Sequence, residues 1–380
     1  MQRSSPAPKR KAKKFVPIIN EAPPPTPAIH GRGASWSPAN RFEKLHIDSG
    51  DTDVVQDDPN ADGERPNRTT QYFRDATKTI IARNQSPDVG FETSINPYRG
   101  CEHGCIYCFA RPTHEYLGFS AGLDFESRIV VKENAPQLLE AELSSPKWKP
   151  QLLMMSGVTD CYQPVERKMQ LTRRCLEVLA KFRNPVGILT KNKLVTRDID
   201  VLSDLADHQA VAVNLSVTSL DPNLQRILEP RTSSPAARLD AVAQLRCANI
   251  PVGVMVAPVI PGINDHEIPN IVEACAKAGA QFAGYVLLRL PWAVAPLFDH
   301  WLDEHFPERK AKVLERVRHT RGGEKIYDSR WRKRQTGEGI FAEQIEAMFE
   351  VACRRNGMGE RPHLSTAAFR RPNEQLTLSL

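Results

Sequence analysis

Residues 186–217 read VGILTKNKLVTRDIDVLSDLADHQAVAVNLSV. The two ends, 186–190 (VGILT) and 210–217 (AVAVNLSV), are apolar runs of strand length. Between them, Ile199, Leu202 and Leu205 fall on one stripe of a helix expected over 197–206. Strand, helix and strand in so short a span make one βαβ unit. Strands that are apolar on both faces and alternate with helices predict a parallel sheet covered by helices.

The same pattern continues on both sides. Strand-length runs occur at 151–156 (QLLMMS), 252–259 (VGVMVAPV) and 284–290 (GYVLLRL), and helix-period segments at 165–183, 235–248 and 267–278. An earlier strand is expected before Asn96, leading into a cysteine-rich loop. About six βα units follow, which fits an α/β fold of the triosephosphate isomerase type, as a barrel or partial barrel. Such barrels carry their chemistry at the C-terminal ends of the strands. A doubly wound open sheet satisfies the pattern equally.

Three regions are predicted: a disordered tail over 1–70, the barrel over 71–290 and a helical, basic extension over 291–380. Residues 1–30 hold seven prolines and six Lys/Arg against one Glu, and 48–64 is acidic with almost no apolar residues. Neither stretch can bury enough surface to offset its ordering entropy. In the extension, helices are expected over 296–318 and 338–355. From Arg309 to Gln335 eleven Lys/Arg stand against three acids, with Tyr327 and Trp331 interleaved. Cations that grip phosphate and aromatics that stack on bases make nucleic acid a candidate partner here. The run Lys9-Arg10-Lys11-Ala12-Lys13-Lys14 has the same potential.

Composition narrows the class. Of 380 residues, 41% are hydrophobic and 25% charged, with a net charge of +6. No apolar run approaches the ~20 residues that span a bilayer, and no apolar stretch follows the basic N-terminus. A cytoplasmic protein with no membrane partner is expected. Eight cysteines are too sparse for a disulfide scaffold, but three of them stand together.

Those three lie in Asn96-Pro97-Tyr98-Arg99-Gly100-Cys101-Glu102-His103-Gly104-Cys105-Ile106-Tyr107-Cys108, a C-x3-C-x2-C spacing. Three thiolates so close converge only if the chain curls, and Gly100 and Gly104 permit that. Three sulfurs can hold three irons of a cubane cluster and leave the fourth without a protein ligand. The alternative is a zinc site of Cys101, Cys105, Cys108 and His114 or His103 in a non-catalytic, nucleic-acid-binding protein.

C-x3-C-x2-C with an aromatic before the last Cys resembles the signature of the radical S-adenosylmethionine (SAM) enzymes. The wider text, INPYRGCEHGCIYCFARPTHEYLGF (95–119) and SGVTDCYQPVE (156–166), resembles the branch that contains the spore photoproduct lyase. The likeness covers roughly residues 90–290. It implies a partial (β/α)6 barrel, a [4Fe–4S] cluster on Cys101, Cys105 and Cys108, and SAM as the second cofactor. It further implies reductive cleavage of SAM to a 5′-deoxyadenosyl radical, which takes hydrogen from a substrate, and a reductant such as flavodoxin or ferredoxin. By the same likeness, Tyr107 lies near the adenine. Ser156, Gly157 and Thr159 offer groups to the methionyl ammonium, and Lys191 pairs with the SAM carboxylate. Asn214 and Ser216 reach the carboxylate or ribose, and Ala257 lines the adenine. Glu229 and Arg231 in the LEPRT turn form a charged pair that could reach the cofactor or tie a loop. Cys161 is expected near the cofactor as a candidate catalytic residue. The substrate is open; nucleic acid, a peptide and a small molecule all fit.

Overall fold

The computed structural model describes residues 29, 31–42 and 69–372. Its strands are β1 (Gln71–Arg74), β2 (Ile81–Arg83), β3 (Thr93–Ile95), β4 (Tyr98–Arg99), β5 (Arg128–Val131), β6 (Leu153–Met155), β7 (Val186–Thr190), β8 (Val211–Ser216), β9 (Val252–Val259) and β10 (Phe282–Leu287). The helices are α1 (Leu123–Ser127), α2 (Ala135–Ser144), α3 (Glu166–Met169), α4 (Leu171–Phe182), α5 (Ile199–Asp207) and α6 (Pro222–Leu228). After these come α7 (Pro235–Cys247), α8 (Ile268–Lys277), α9 (Val294–His305), α10 (Lys310–His319), α11 (Lys333–Thr336) and α12 (Ile340–Arg355).

The main sheet has the order β10-β9-β8-β7-β6-β3-β2. Six strands, β3 and β6 to β10, run parallel, and β2 closes one edge antiparallel. This is the partial (β/α)6 barrel, and its order is linear, so one side stays open between β2 and β10. The strands are not apolar on both faces as expected. Val211, Val213 and Leu215 of β8 join Val252, Val254 and Val256 of β9 in the core under the helices. The opposite face carries Met154, Gly187, Asn214, Ser216, Gly253, Met255 and Gly284. On that face Met154 lies over Gly187, Phe282 over Gly253 and Met255 over Gly284, while Asn214 and Ser216 are polar.

Two expected helices are broken. The span 165–183 splits at Gln170, whose φ is 52°, and 296–318 splits at Phe306-Pro307 between α9 and α10. Helix α7 starts where Ser234 Oγ accepts from the Ala237 N–H at 3.3 Å, with Pro235 in the first turn. The C-terminal extension is part of the barrel's core: Ala342, Ile345, Phe349 and Ala352 of α12 pack into it.

A second sheet, β1-β5-β4, escaped the sequence pattern and frames the cysteine loop. The tail expected over 1–70 is corrected in one stretch: within 31–42, Ala34, Ser35 and Asn40 are buried. Residues 1–28, 30 and 43–68, including the basic run at 9–14, lie outside the described residues. At the open side, Arg334 donates to the Asp88 carboxylate and, at 2.5 Å, to Ser86 Oγ, and the Arg332 N–H donates to Asp88. This segment beyond the last strand therefore grips the loop between β2 and β3. Among the described residues no helix is long and apolar enough to cross a membrane.

Candidate active site

The cysteine loop leaves β4 and folds back on itself. Cys101 N–H donates to the Phe125 carbonyl at 2.8 Å, Gly104 N–H to Cys101 O at 3.4 Å and Cys108 N–H to Cys105 O at 3.2 Å. Gly100 and Gly104 have φ of 77° and 67°, which only glycine adopts cheaply. Cys101 and Cys105 are buried and Cys108 is nearly so. Burial pushes all three thiols up, and for Cys101 the Asp160 carboxylate and the two other cysteines add to it.

Arg111, fully buried, is the brace of this loop. Its guanidinium donates to the carbonyls of Cys105 (3.0 Å), Gly104 (3.2 Å), Gly122 (3.0 Å) and Ala121 (3.2 Å), and pairs with the Glu126 carboxylate. Glu126 in turn accepts from the Gly33 and Ala34 N–H groups, each at 2.9 Å. Segment 31–42 therefore lies directly on the cysteine loop. A Cβ on Gly33 would stand 1.7 Å from the Gly104 oxygen, so no other residue fits there without displacement. Sequence reasoning missed Arg111, Glu126 and Gly33. Arg111 and Glu126 are fifteen residues apart, and no spacing rule joins them.

The strand ends bring several expected residues together. Lys191 Nζ lies 3.5 Å from the Ala257 carbonyl and 6.0 Å from the Tyr107 ring centroid. The Tyr107 hydroxyl donates to Glu229, which also pairs with Arg238 and accepts from Thr218. Burial pushes the Glu229 carboxyl up, but Arg238, Lys191, Thr218 and Tyr107 outweigh it and hold it down at about 2. Asn214 is buried and its Oδ1 has no partner. Ser216 is buried beside it, its carbonyl held by Arg238 at 2.8 Å.

After β6 the chain turns sharply. Ser156 has φ 72° and its Oγ accepts from the Cys161 N–H at 2.9 Å. Asn96 Oδ1 accepts from the Val158 N–H at 2.9 Å, and Gly157 approaches Ser94 closely. Thr159 Oγ1 donates to the Tyr98 carbonyl at 2.8 Å, which engages its hydroxyl in the fold. Asp160 accepts from Thr190 Oγ1 and the Lys191 N–H, both at 2.8 Å, and faces His103 Nδ1 at 3.3 Å. Burial opposes its charge, but His103 and the backbone donors keep its pKa below the usual carboxylate range. Asp160 thus fastens the β6 turn to the end of β7 and to the cysteine loop.

Other expectations need correction. Cys161 is wholly buried in the main core, and burial pushes its thiol well up. Arg231 does not pair with Glu229 but lies 3.5 Å from Glu102. Neither histidine completes a zinc set: His114 Nε2 bonds the Arg128 carbonyl at 2.9 Å, and His103 faces Asp160. Among the described residues no three His, Cys, Asp or Glu side chains gather closely enough for a single metal ion. A cubane cluster takes one thiolate per iron, so its ligands need not meet at one point. In the basic segment, Arg330 is paired with Asp328 and Glu338, Lys333 with Glu338 and Arg334 with Asp88. Trp331 is exposed.

Comparison with known proteins decides the family. The Radical SAM superfamily model matches residues 95–275. An uncharacterized protein of Mycobacterium tuberculosis is 36% identical over 242 residues, covering 62% of this chain and 71% of its own. The chain belongs to the radical SAM superfamily. A Methanocaldococcus jannaschii relative of this radical SAM enzyme, also an uncharacterized protein, is 31% identical over 219 residues, 58% of this chain and 78% of its own. Among solved structures, spore photoproduct lyase complexed with dinucleoside spore photoproduct has the same fold, with a TM-score of 0.53 at 14% identity, over 75% of this chain and 78% of that one. The residues present fit the superfamily's cofactors: three cysteines on one tightly folded, largely buried loop and an unpartnered buried amide oxygen on Asn214.

Proposed function

We propose that this radical SAM enzyme holds a [4Fe–4S] cluster on Cys101, Cys105 and Cys108, binds SAM across the strand ends and abstracts hydrogen from its substrate. The observation that carries the reading is the C-x3-C-x2-C loop itself, folded back on its own backbone with Cys101 and Cys105 buried. When bound, the two cofactors supply one-electron reductive cleavage and hydrogen-atom abstraction.

The chain's own residues bind, orient and exclude water. Arg111 and Glu126 hold the loop's carbonyls, so the thiols keep their spacing. The Lys191 ammonium, beside the Tyr107 ring and the Ala257 carbonyl, offers a positive charge to a carboxylate. Asn214 Oδ1 accepts a hydrogen bond from an ammonium or hydroxyl, and Ser216 lies beside it. Ser156 and Gly157 present a turn that a ligand can approach closely. Glu229 stays ionised between Arg238 and Tyr107 and fixes that ring. A flavodoxin or ferredoxin would deliver the electron.

The test is anaerobic reconstitution with iron and sulfide. Expected are about four irons per chain, a brown protein, and a cluster signal in electron paramagnetic resonance that shifts when SAM is added. Stoichiometric zinc without a cluster overturns the reading. Hydrogen transfer is then traced by incubating the enzyme with deuterated candidate substrates and finding which one labels 5′-deoxyadenosine. A nucleic-acid substrate is the second reading, favoured by exposed Trp331 with the Arg334 guanidinium 5.8 Å from its ring centroid. DNA or RNA affinity that falls steeply with salt supports it, and no binding at moderate salt removes it.

A further inference from the structure

Arg289 stands two residues beyond β10, at the functional end of the barrel. Its Cζ lies 4.8 Å from the ring centroid of Phe109, the residue that follows Cys108. Phe109 is 45% exposed, so the stacked pair borders open space. On the same side Trp292, 57% exposed, approaches Tyr327 with ring centroids 6.4 Å apart.

The surrounding charges are already matched, with Arg289 left over. Asp88 is held by Arg334, Asp328 by Arg330, and Glu338 by Arg330 and Lys333. Arg321, almost fully buried, is engaged by carbonyls: it donates to Leu288 O at 2.6 Å and Lys333 O at 2.8 Å. Arg289 Nε is buried with no hydrogen-bond partner, and no carboxylate among the described residues pairs with its guanidinium. A partly buried guanidinium without a counter-ion is costly. Burial pushes the Arg289 pKa down; Tyr327 and, more weakly, Asp88 oppose this without outweighing it, and Arg334 adds to it. Stacking on Phe109 fixes the plane, the Tyr327 hydroxyl engages one part of the guanidinium, and no carboxylate takes up the rest of its N–H groups. Those remaining groups form a fork matched to the two oxygens of a phosphate or carboxylate.

We propose that Arg289, seated on Phe109 beside Tyr327, is an oxyanion subsite that holds a phosphate or carboxylate group of the substrate at the mouth of the cysteine-lined site. The subsite's role as a substrate anchor rests on the function proposed above; its affinity for an oxyanion does not.

Full-length reconstituted protein, its iron content measured in the same sample, is titrated with inorganic phosphate and separately with acetate at constant ionic strength, followed by tryptophan fluorescence and calorimetry. Saturable binding is expected. Arg289→Gln weakens it by about tenfold or more, Arg289→Lys retains part of it, and Arg318→Gln, on an exposed arginine of α10, matches the wild type. Tighter phosphate binding points to a phosphate-bearing substrate, and tighter acetate binding to a carboxylate. No saturable binding of either anion, or wild-type binding by Arg289→Gln, overturns the subsite. Iron and SAM binding without oxyanion binding sinks this inference alone, whereas oxyanion binding without iron sinks the proposed function alone.

Discussion

Glu126 accepts from two backbone N–H groups and pairs with Arg111, all without contact with water. Removing one partner of a buried pair strands the other charge, at a cost of about 3–5 kcal/mol. Glu126→Ala is therefore expected to lose that much stability in urea unfolding, and a loss within experimental error would contradict the brace. His114 gives a pH test. Burial holds its pKa at about 4, and its buried Nδ1 has no partner, so a proton there is poorly received. The unfolded histidine takes its proton near pH 6.5. Stability from this group is therefore full above that pH, falls as pH drops from about 6.5 to 4, and levels off below, a loss of roughly 3 kcal/mol. His114→Phe should flatten the unfolding free energy by that amount across the window; parallel pH curves for the two proteins would refute it. At this scale the sequence was read unevenly. The clustering of the three cysteines and the strand-end placement of Lys191 near Tyr107 and Ala257 were legible because spacing and strand-end position carry a signal. Glu126, Arg111 and the partner of Glu229 were not, because they are joined only by packing between distant segments. Cys161 misled because a strand-end position does not say which way a side chain turns.

The βα repeat was legible almost to the residue where the alternation is strongest. Strand β7 covers 186–190 as expected, and β9 covers 252–259. The second sheet was not, since β1 is exposed along its whole length and β4 holds two residues, too little for any periodicity. Helix breaks at Gln170 and Phe306 were hidden because the apolar stripe continues across them. Segment 31–42 was hidden by composition: Gly, Ser and Pro read as a tail, yet its glycine is what lets the backbone touch the cysteine loop. Gly33→Ala should lift this segment. Faster amide exchange over 31–42 is expected, together with reduced iron retention after reconstitution. Unchanged exchange there would show that the contact does not hold the segment down.

Across the whole molecule, the barrel is open between β2 and β10, and Asp88 ties the segment after β10 to the loop before β3. Asp88→Asn should release residues 320–339, seen as faster hydrogen exchange confined to that segment and to loop 84–92, with the strands unaffected. Exchange that rises throughout the barrel would instead mark Asp88 as part of the global fold. The superfamily's architecture was legible in the sequence, whereas the closure of the open side was not, because it depends on one carboxylate reached by residues more than two hundred positions away. The central claim is that these thiols support reductive cleavage of SAM. Reconstituted enzyme, given dithionite and SAM without air, should yield 5′-deoxyadenosine and methionine, and a Cys101, Cys105 and Cys108 triple Ala variant should yield neither and retain no cluster. A triple variant that keeps its iron, or a fully loaded wild type that leaves SAM intact, would contradict the account.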